Sequence, residues 1–315
     1  MGKVHLTAVS RTQGNNEALK NGTEKPNGFE LEFEEVPVLV QAFRRMVREL
    51  EWDVCEMAIT TYICAKAHGK AFTALPVFLV RGFHHNAIVY NTKSGIRTPK
   101  DIEGRRVGVN RGYTVTTGVW ARGILQDEFG VDLSKVTWVL SGDEHVAEYR
   151  PPSNVIPMAP GKTLEEMLIS GEIDAVVGVE IANPEIAPLI PDPDNTAYQA
   201  LRTRGLYPIN HLVVVKDDLL GKYPDLAADL FDAFARSKQL YVEKLRAGSI
   251  ANPDSADQMY SKVLEITGAD PLPYGIEPNR ATLETLLDHA ISQSIIEERP
   301  TIESLFAPST LDLRG

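Results

Sequence analysis

Short apolar strand patterns alternate with helical stretches up to about residue 215, and this alternation limits the fold more than any other feature. Residues 4–9, 29–36, 53–58, 73–79, 87–91, 106–109, 136–140, 173–179 and 212–215 read as strands. Helical spacing lies between many of them. In residues 38–51, Val40, Phe43, Val47 and Leu50 form one stripe, and Arg44, Arg45 and Arg48 fall on a solvated face. Residues 60–67, the stretch after 118 to about 129, and 164–170 are also helical, and Thr98-Pro99 suits a helix start. Residues 13–28 read as a loop with at most a short helix. Beyond 215 only helical patterns remain, at 226–246, 255–267 and 279–294. Strands that alternate with helices pair in parallel and carry helices on both faces, so the class is α/β, with mixed, mostly parallel sheets flanked by helices.

The chain has 315 residues, more than one core usually serves, so two lobes are expected. It carries 43 acidic and 32 basic residues, a formal charge of −11. Such a balance argues against nucleic acid as a partner, because phosphate binding needs a surplus of Lys and Arg. An anion site in this chain must concentrate positive charge locally. Cys55 and Cys64 lie in an apolar stretch without a CxxC pattern and read as buried reduced thiols. The N-terminal residues enter a strand pattern at once and no segment approaches a membrane span, so a soluble, cytoplasmic protein is expected.

Residues 94–109 (SGIRTPKDIEGRRVGV) resemble the segment that opens the second lobe in periplasmic-binding-protein-like folds of the second type. Residues 207–214 (YPINHLVV) resemble their return crossing. The resemblance places lobe one at 1–96 and 208–315 and lobe two at 97–207, with a ligand cleft between them. Ligands of open α/β sheets sit beyond the carboxyl ends of strands, so residues just after strands are the site candidates. Arg11 follows the first strand, and Glu56 and Thr60 belong to the third strand and its end. Arg81, His84 and His85 sit at a strand–loop junction. Arg111, Tyr113, Thr114, Thr116 and Thr117 join a strand to a helix N-terminus, where backbone N–H groups and the helix dipole favour an anion. Glu144 and His145 follow another strand, and His211 lies at the return crossing. Each histidine has a structural alternative, as a core or loop residue held by backbone. An adjacent pair on a strand points to opposite faces, so one of His84 and His85 at most should face a ligand. A metal set of His84 or His85 with His145 and Glu144 lacks any compact ligand motif, and no P-loop, GxSxG or dinucleotide fingerprint occurs. No metal and no cofactor are expected.

Residues 43–125 (FRRMVRELEWDVCEMAITTY through TVTTGVWARGIL), 136–155 (VTWVLSGDEHVAEYRPPSNV), YPINHLVVV and GADPLPYGIEPNR are similar to the 4,5-dihydroxyphthalate decarboxylases of bacterial phthalate degradation. The likeness weakens at 13–27 and 182–204. It implies conversion of 4,5-dihydroxyphthalate to protocatechuate and carbon dioxide. Direct loss of carbon dioxide would leave an aryl carbanion. Protonating the carboxylate-bearing carbon first, with the para hydroxyl pushing electrons as phenolate, avoids it. Such a reaction needs cationic clamps, for which Arg111 and Arg81 are candidates with Arg11, Tyr113, Thr114, Thr116, Thr117, Thr60 and Glu56 as further contacts. It also needs a proton donor, for which His84, His85, His145 and His211 are candidates, with Glu144 orienting His145. The implied partner is a small aromatic dicarboxylate. The C-terminal helices either form a homo-oligomer interface or complete lobe one. The rival readings are a small-anion binding protein of the same fold and a decarboxylase of another hydroxylated aromatic acid.

Overall fold

The computed structural model describes residues 3–315. In chain order its elements are β1 (Val4–Val9), α1 (Glu17–Lys20), β2 (Phe29–Glu34), α2 (Leu39–Glu49), β3 (Val54–Ala58), α3 (Ile59–Ala67) and β4 (Phe72–Arg81), then β5 (Ile88–Asn91), β6 (Arg106–Val109), α4 (Thr116–Phe129), β7 (Thr137–Leu140), β8 (Val155–Pro157), α5 (Leu164–Ser170), β9 (Ala175–Val177), β10 (Ile186–Pro188) and α6 (Pro193–Arg204). β11 (Ile209–Lys216), α7 (Asp217–Lys222), α8 (Leu226–Ala247), α9 (Ser255–Thr267) and α10 (Arg280–Ser292) complete it. The chain divides into two compact units. One holds the chain up to Gly82, Ile209–Glu284 and Pro300–Gly315; the other holds Phe83–Pro208 and Thr285–Arg299.

The first unit is built on a five-stranded sheet of order β2-β1-β3-β11-β4. β1 runs parallel to β2 and β3, while β11 lies antiparallel to both β3 and β4. All five residues of β3 are buried, as a central strand covered on both faces requires. The edge strand β2 exposes Glu30, Glu32 and Glu34, charges that discourage edge-to-edge pairing. α2 buries Ala42, Phe43, Met46 and Val47, and the Arg45 guanidinium covers the Trp52 ring at 4.7 Å.

The second unit has a six-stranded sheet of order β10-β5-β9-β6-β7-β8. β9, β6, β7 and β8 are parallel; β5 is antiparallel to β9 and to β10. α5 packs directly on β6. A Cβ at Gly108 would lie 2.6–2.8 Å from Val176, Leu164 and Ile173, so only glycine fits there.

The division between the units differs from the expected crossing at residue 96. Residues 83–96 belong with the second unit because β5 pairs with β9 and β10. Residues 285–299 also join that unit, although the expected lobe one included them. His84 and His85 lie on no strand; they open a 3₁₀ turn at His85–Ala87, so strand alternation does not govern them. Three-residue β8 and β10 were not anticipated, because a period of two cannot be read from three residues. Among the described residues no helix is long and apolar enough to cross a membrane.

Candidate functional site

The first unit gathers several of the expected residues around Glu56. In the β3–β11 register His211 faces Ala58 and Val213 faces Glu56. Glu56 and His211 are therefore diagonal neighbours on one face of the sheet. Glu56 Oε1 lies 2.6 Å from His211 Nδ1. Glu56 Oε2 accepts from Ser10 Oγ at 2.9 Å and from Arg11 N at 3.0 Å, and Gln13 Nε2 approaches within 3.4 Å. Asn16 braces this turn by donating to Ser10 Oγ and Arg11 O. Glu56 is 1% exposed, and burial by itself would push its carboxyl up. The His211 hydrogen bond and charge, the Ser10 hydroxyl and the Arg11 charge outweigh burial and hold it below the ordinary carboxylate value. His211 also meets the edge of Phe43, at a ring separation of 5.1 Å.

Arg81 ends β4 opposite Ile209 of β11, and its guanidinium donates to Asn279 Oδ1. Asn279 is itself fixed by donating to Pro273 O and Gly275 O. Arg81 N donates to the Tyr260 hydroxyl at 3.4 Å. Burial pushes the Tyr260 phenol up to about 12, against the Arg81 backbone bond and the charges of Arg81 and Arg11. Arg11, Arg81, Glu56 and Tyr260 thus act on one another within one unit. Thr60, 0% exposed, lies in the first turn of α3.

The second unit treats its candidates differently. Arg111 is exposed and adopts φ 70°, a left-handed conformation that a non-glycine residue holds only under local constraint. Its N–H donates to Ser141 Oγ at 2.8 Å. The backbone donors expected for an external anion are engaged by Glu144, whose carboxylate accepts from Tyr113 N, Thr114 N and Thr114 Oγ1. A Cβ at Gly112 would meet Glu144 Oε2 at 2.5 Å, so the carboxylate is seated closely on the loop. Glu144 therefore anchors the Tyr113–Thr114 turn. Thr116 is buried, and Thr117 is half-buried in the first turn of α4. His84 and His145 are each 5% exposed. His85 is fully enclosed, with Nε2 3.0 Å from Glu128 Oε1; Glu128 also pairs with Arg204. The His85 ring has no exposure and its nitrogen is held by an internal carboxylate, which is the geometry of a structural tie. Among the described residues no three His, Cys, Asp or Glu side chains group as a metal site, so the trio of His84 or His85, His145 and Glu144 is not assembled.

No family model matches the sequence. The 4,5-dihydroxyphthalate decarboxylase of Comamonas testosteroni is 30% identical over 289 residues, spanning 86% of this chain and 87% of the relative. The chain belongs to the 4,5-dihydroxyphthalate decarboxylase family. The Pseudomonas putida 4,5-dihydroxyphthalate decarboxylase is 34% identical over 178 residues, 51% of this chain and 69% of that one. Among solved structures, the periplasmic aliphatic sulphonate binding protein SsuA of Escherichia coli aligns with TM-score 0.55 at 11% identity, covering 99% of this chain and all of that one. The desulfurization enzyme DSZB aligns with TM-score 0.53 at 15% identity, covering 98% of each. The fold of this decarboxylase-family chain is therefore the periplasmic-binding-protein-like α/β fold.

Gln13, Asn16, Tyr260 and Arg122 join the residues around these candidates without standing out in the sequence as site residues. Tyr260 carried no signal, because with Val263 it lies on the buried stripe of α9. Arg122 left one, a lone cation inside the apolar run GVWARGIL. It is 0% exposed, stacks 3.8 Å over the Tyr113 ring, and donates to Tyr113 O at 2.6 Å and Gln293 Oε1 at 2.8 Å. Burial lowers its pKa from the ordinary value. Arg122 and Glu144 together pin the Tyr113 turn from two sides.

Proposed function

We propose that this protein converts 4,5-dihydroxyphthalate to protocatechuate and carbon dioxide without oxidation, as a carboxy-lyase of aromatic catabolism. The observation that carries this reading is the family match across most of both chains. The chemistry of the residues is consistent with it. A dianionic substrate needs cations held in place, and Arg81, gripped by Asn279, and Arg111, on a constrained turn, are the proposed carboxylate clamps. The reaction consumes one proton for each carbon dioxide released. The departing carboxylate should be gripped less tightly than the retained one, because it leaves as a neutral molecule and forfeits its ionic bonds. The two buried free thiols, Cys55 and Cys64, favour a reducing, cytoplasmic location.

The test is incubation of purified protein with 4,5-dihydroxyphthalate in deuterated water. Protocatechuate with one deuterium at the vacated ring position, together with one carbon dioxide, is the expected result. Tight binding without turnover would replace this reading with a small-anion binding protein of the same fold. Turnover of a different hydroxylated benzoate alone would keep the enzyme class and change the substrate.

A further inference from the structure

We propose that His211 delivers the proton to the ring carbon through Nε2, and that Glu56 is the positioning residue that makes it able to. This deepens the function proposed above and rests on it. Among the four candidate histidines, His85 is 0% exposed and tied to Glu128, and His84 and His145 are 5% exposed. The His211 side chain is 19% exposed while its Glu56 partner is wholly enclosed. One ring nitrogen therefore faces a buried carboxylate. The other, Nε2, bonds to no protein atom among the described residues and is the nitrogen left for a ligand. An ionised carboxylate can only accept, so Nδ1 carries the proton in that bond and the tautomer is set. Ser10, Arg11 and Gln13 occupy the second carboxylate oxygen, so Glu56 is held from several directions and cannot turn with the ring. The charged and titratable groups around the pair are Arg11 after β1, Cys55 beside Glu56 on β3, Arg81 on β4, Tyr260 on α9 and Tyr274 before α10.

The step balances as follows. The para hydroxyl of the substrate is ionised, and its electron pair feeds into the ring. A C–H bond forms at the carboxylate-bearing carbon with the proton from Nε2, leaving a neutral imidazole and a dearomatised ketone. The bond to the carboxylate carbon then breaks. Its electron pair returns to the ring, carbon dioxide departs and the phenolate is restored. Solvent reprotonates Nε2 through the exposed edge of the ring.

The experiment compares wild type, His211→Gln, Glu56→Gln and Glu56→Asp for kcat, KM and the pH profile of kcat on 4,5-dihydroxyphthalate, with substrate affinity measured by calorimetry. His211→Gln should lower kcat by about 10²–10⁴-fold with affinity changed by a few fold at most. Glu56→Gln should lower kcat by about tenfold or more with affinity changed by a few fold at most, because an amide can also donate and no longer fixes the Nδ1–H tautomer. Glu56→Asp, which keeps the carboxylate, should restore part of that loss. A purely structural Glu56 would lower folded yield and leave kcat of the folded fraction in place, which would overturn its assigned role. An active wild type with His211→Gln turning over within twofold of it would remove His211 and leave the decarboxylase reading standing. An inactive wild type would remove both.

Discussion

Two histidine–glutamate pairs in this molecule share the same parts and differ in their surroundings. In the first unit His211 meets Glu56 at 2.6 Å; in the second His85 meets Glu128 at 3.0 Å. Both carboxyls are held below their ordinary value in spite of burial, each by hydrogen bonds and the charge of its imidazole. Beyond that they diverge. Glu56 takes its remaining bonds from a hydroxyl, a backbone N–H and an amide, and its histidine keeps an exposed edge. Glu128 takes its remaining bond from Arg204, and its histidine has none. A carboxylate–imidazole pair therefore does not by itself mark a proton-transfer site. On the assignment proposed above, what distinguishes one is a second ring nitrogen on an exposed edge.

The widest separation between the two pairs should come from one substitution made in each. His211→Gln is expected to lower kcat by two to four orders of magnitude with little change in Tm, whereas His85→Gln should leave kcat of the folded protein within about twofold and cost about 2 kcal/mol of stability. Equal losses of activity in steady-state assays would break the comparison. Next in size is the Arg111 loop. Arg111→Ala and Arg111→Gly should each raise KM by about tenfold or more, because both lose the guanidinium while glycine tolerates the left-handed backbone. A normal KM in the glycine variant would assign Arg111 to the turn alone.

The acid side sharpens the likeness between the pairs. Glu56 and Glu128 have folded-state values below the ordinary 4.5, so the unfolded chain binds more protons as pH falls through and below that value. The stability each contributes is complete above 4.5 and is lost on acidification toward its folded value. Tm measured against pH should fall in that window, and Glu56→Gln and Glu128→Gln should each flatten the fall; an unchanged slope in either variant would exclude that pair as a source of acid lability. The smallest effect belongs to His289, packed against Trp120 and 4% exposed. Burial lowers its value from 6.5, so the stability it contributes is complete above 6.5 and lost as pH falls below it. His289→Gln should remove its part of the loss of stability between neutral and mildly acidic pH, read from denaturant midpoints.

Much of this was legible locally. The runs that became β1, β2, β3, β6 and β7 alternate or stay apolar over enough residues to show their type, and the Arg111 loop was visible as a strand-to-helix turn. Asn110–Gly118 could not disclose that its backbone donors would be engaged by Glu144, some thirty residues on. Nor could Arg81–His85 show that β4 ends at Arg81 and that His85 turns inward to a glutamate 43 residues away. The division at Gly82 was equally hidden, since it depends on which sheet β5 enters.

The sequence by itself determined the α/β class, the candidate cations and histidines, and the family, because side-chain periodicity and family-like runs are properties of contiguous residues. Only the tertiary structure decided which histidine meets a buried carboxylate and keeps part of its ring exposed. Glu56 and His211 are 155 residues apart and meet because β11 returns antiparallel between β3 and β4. Strand order is set by packing among distant segments, and no local pattern in either strand encodes the neighbour it will find.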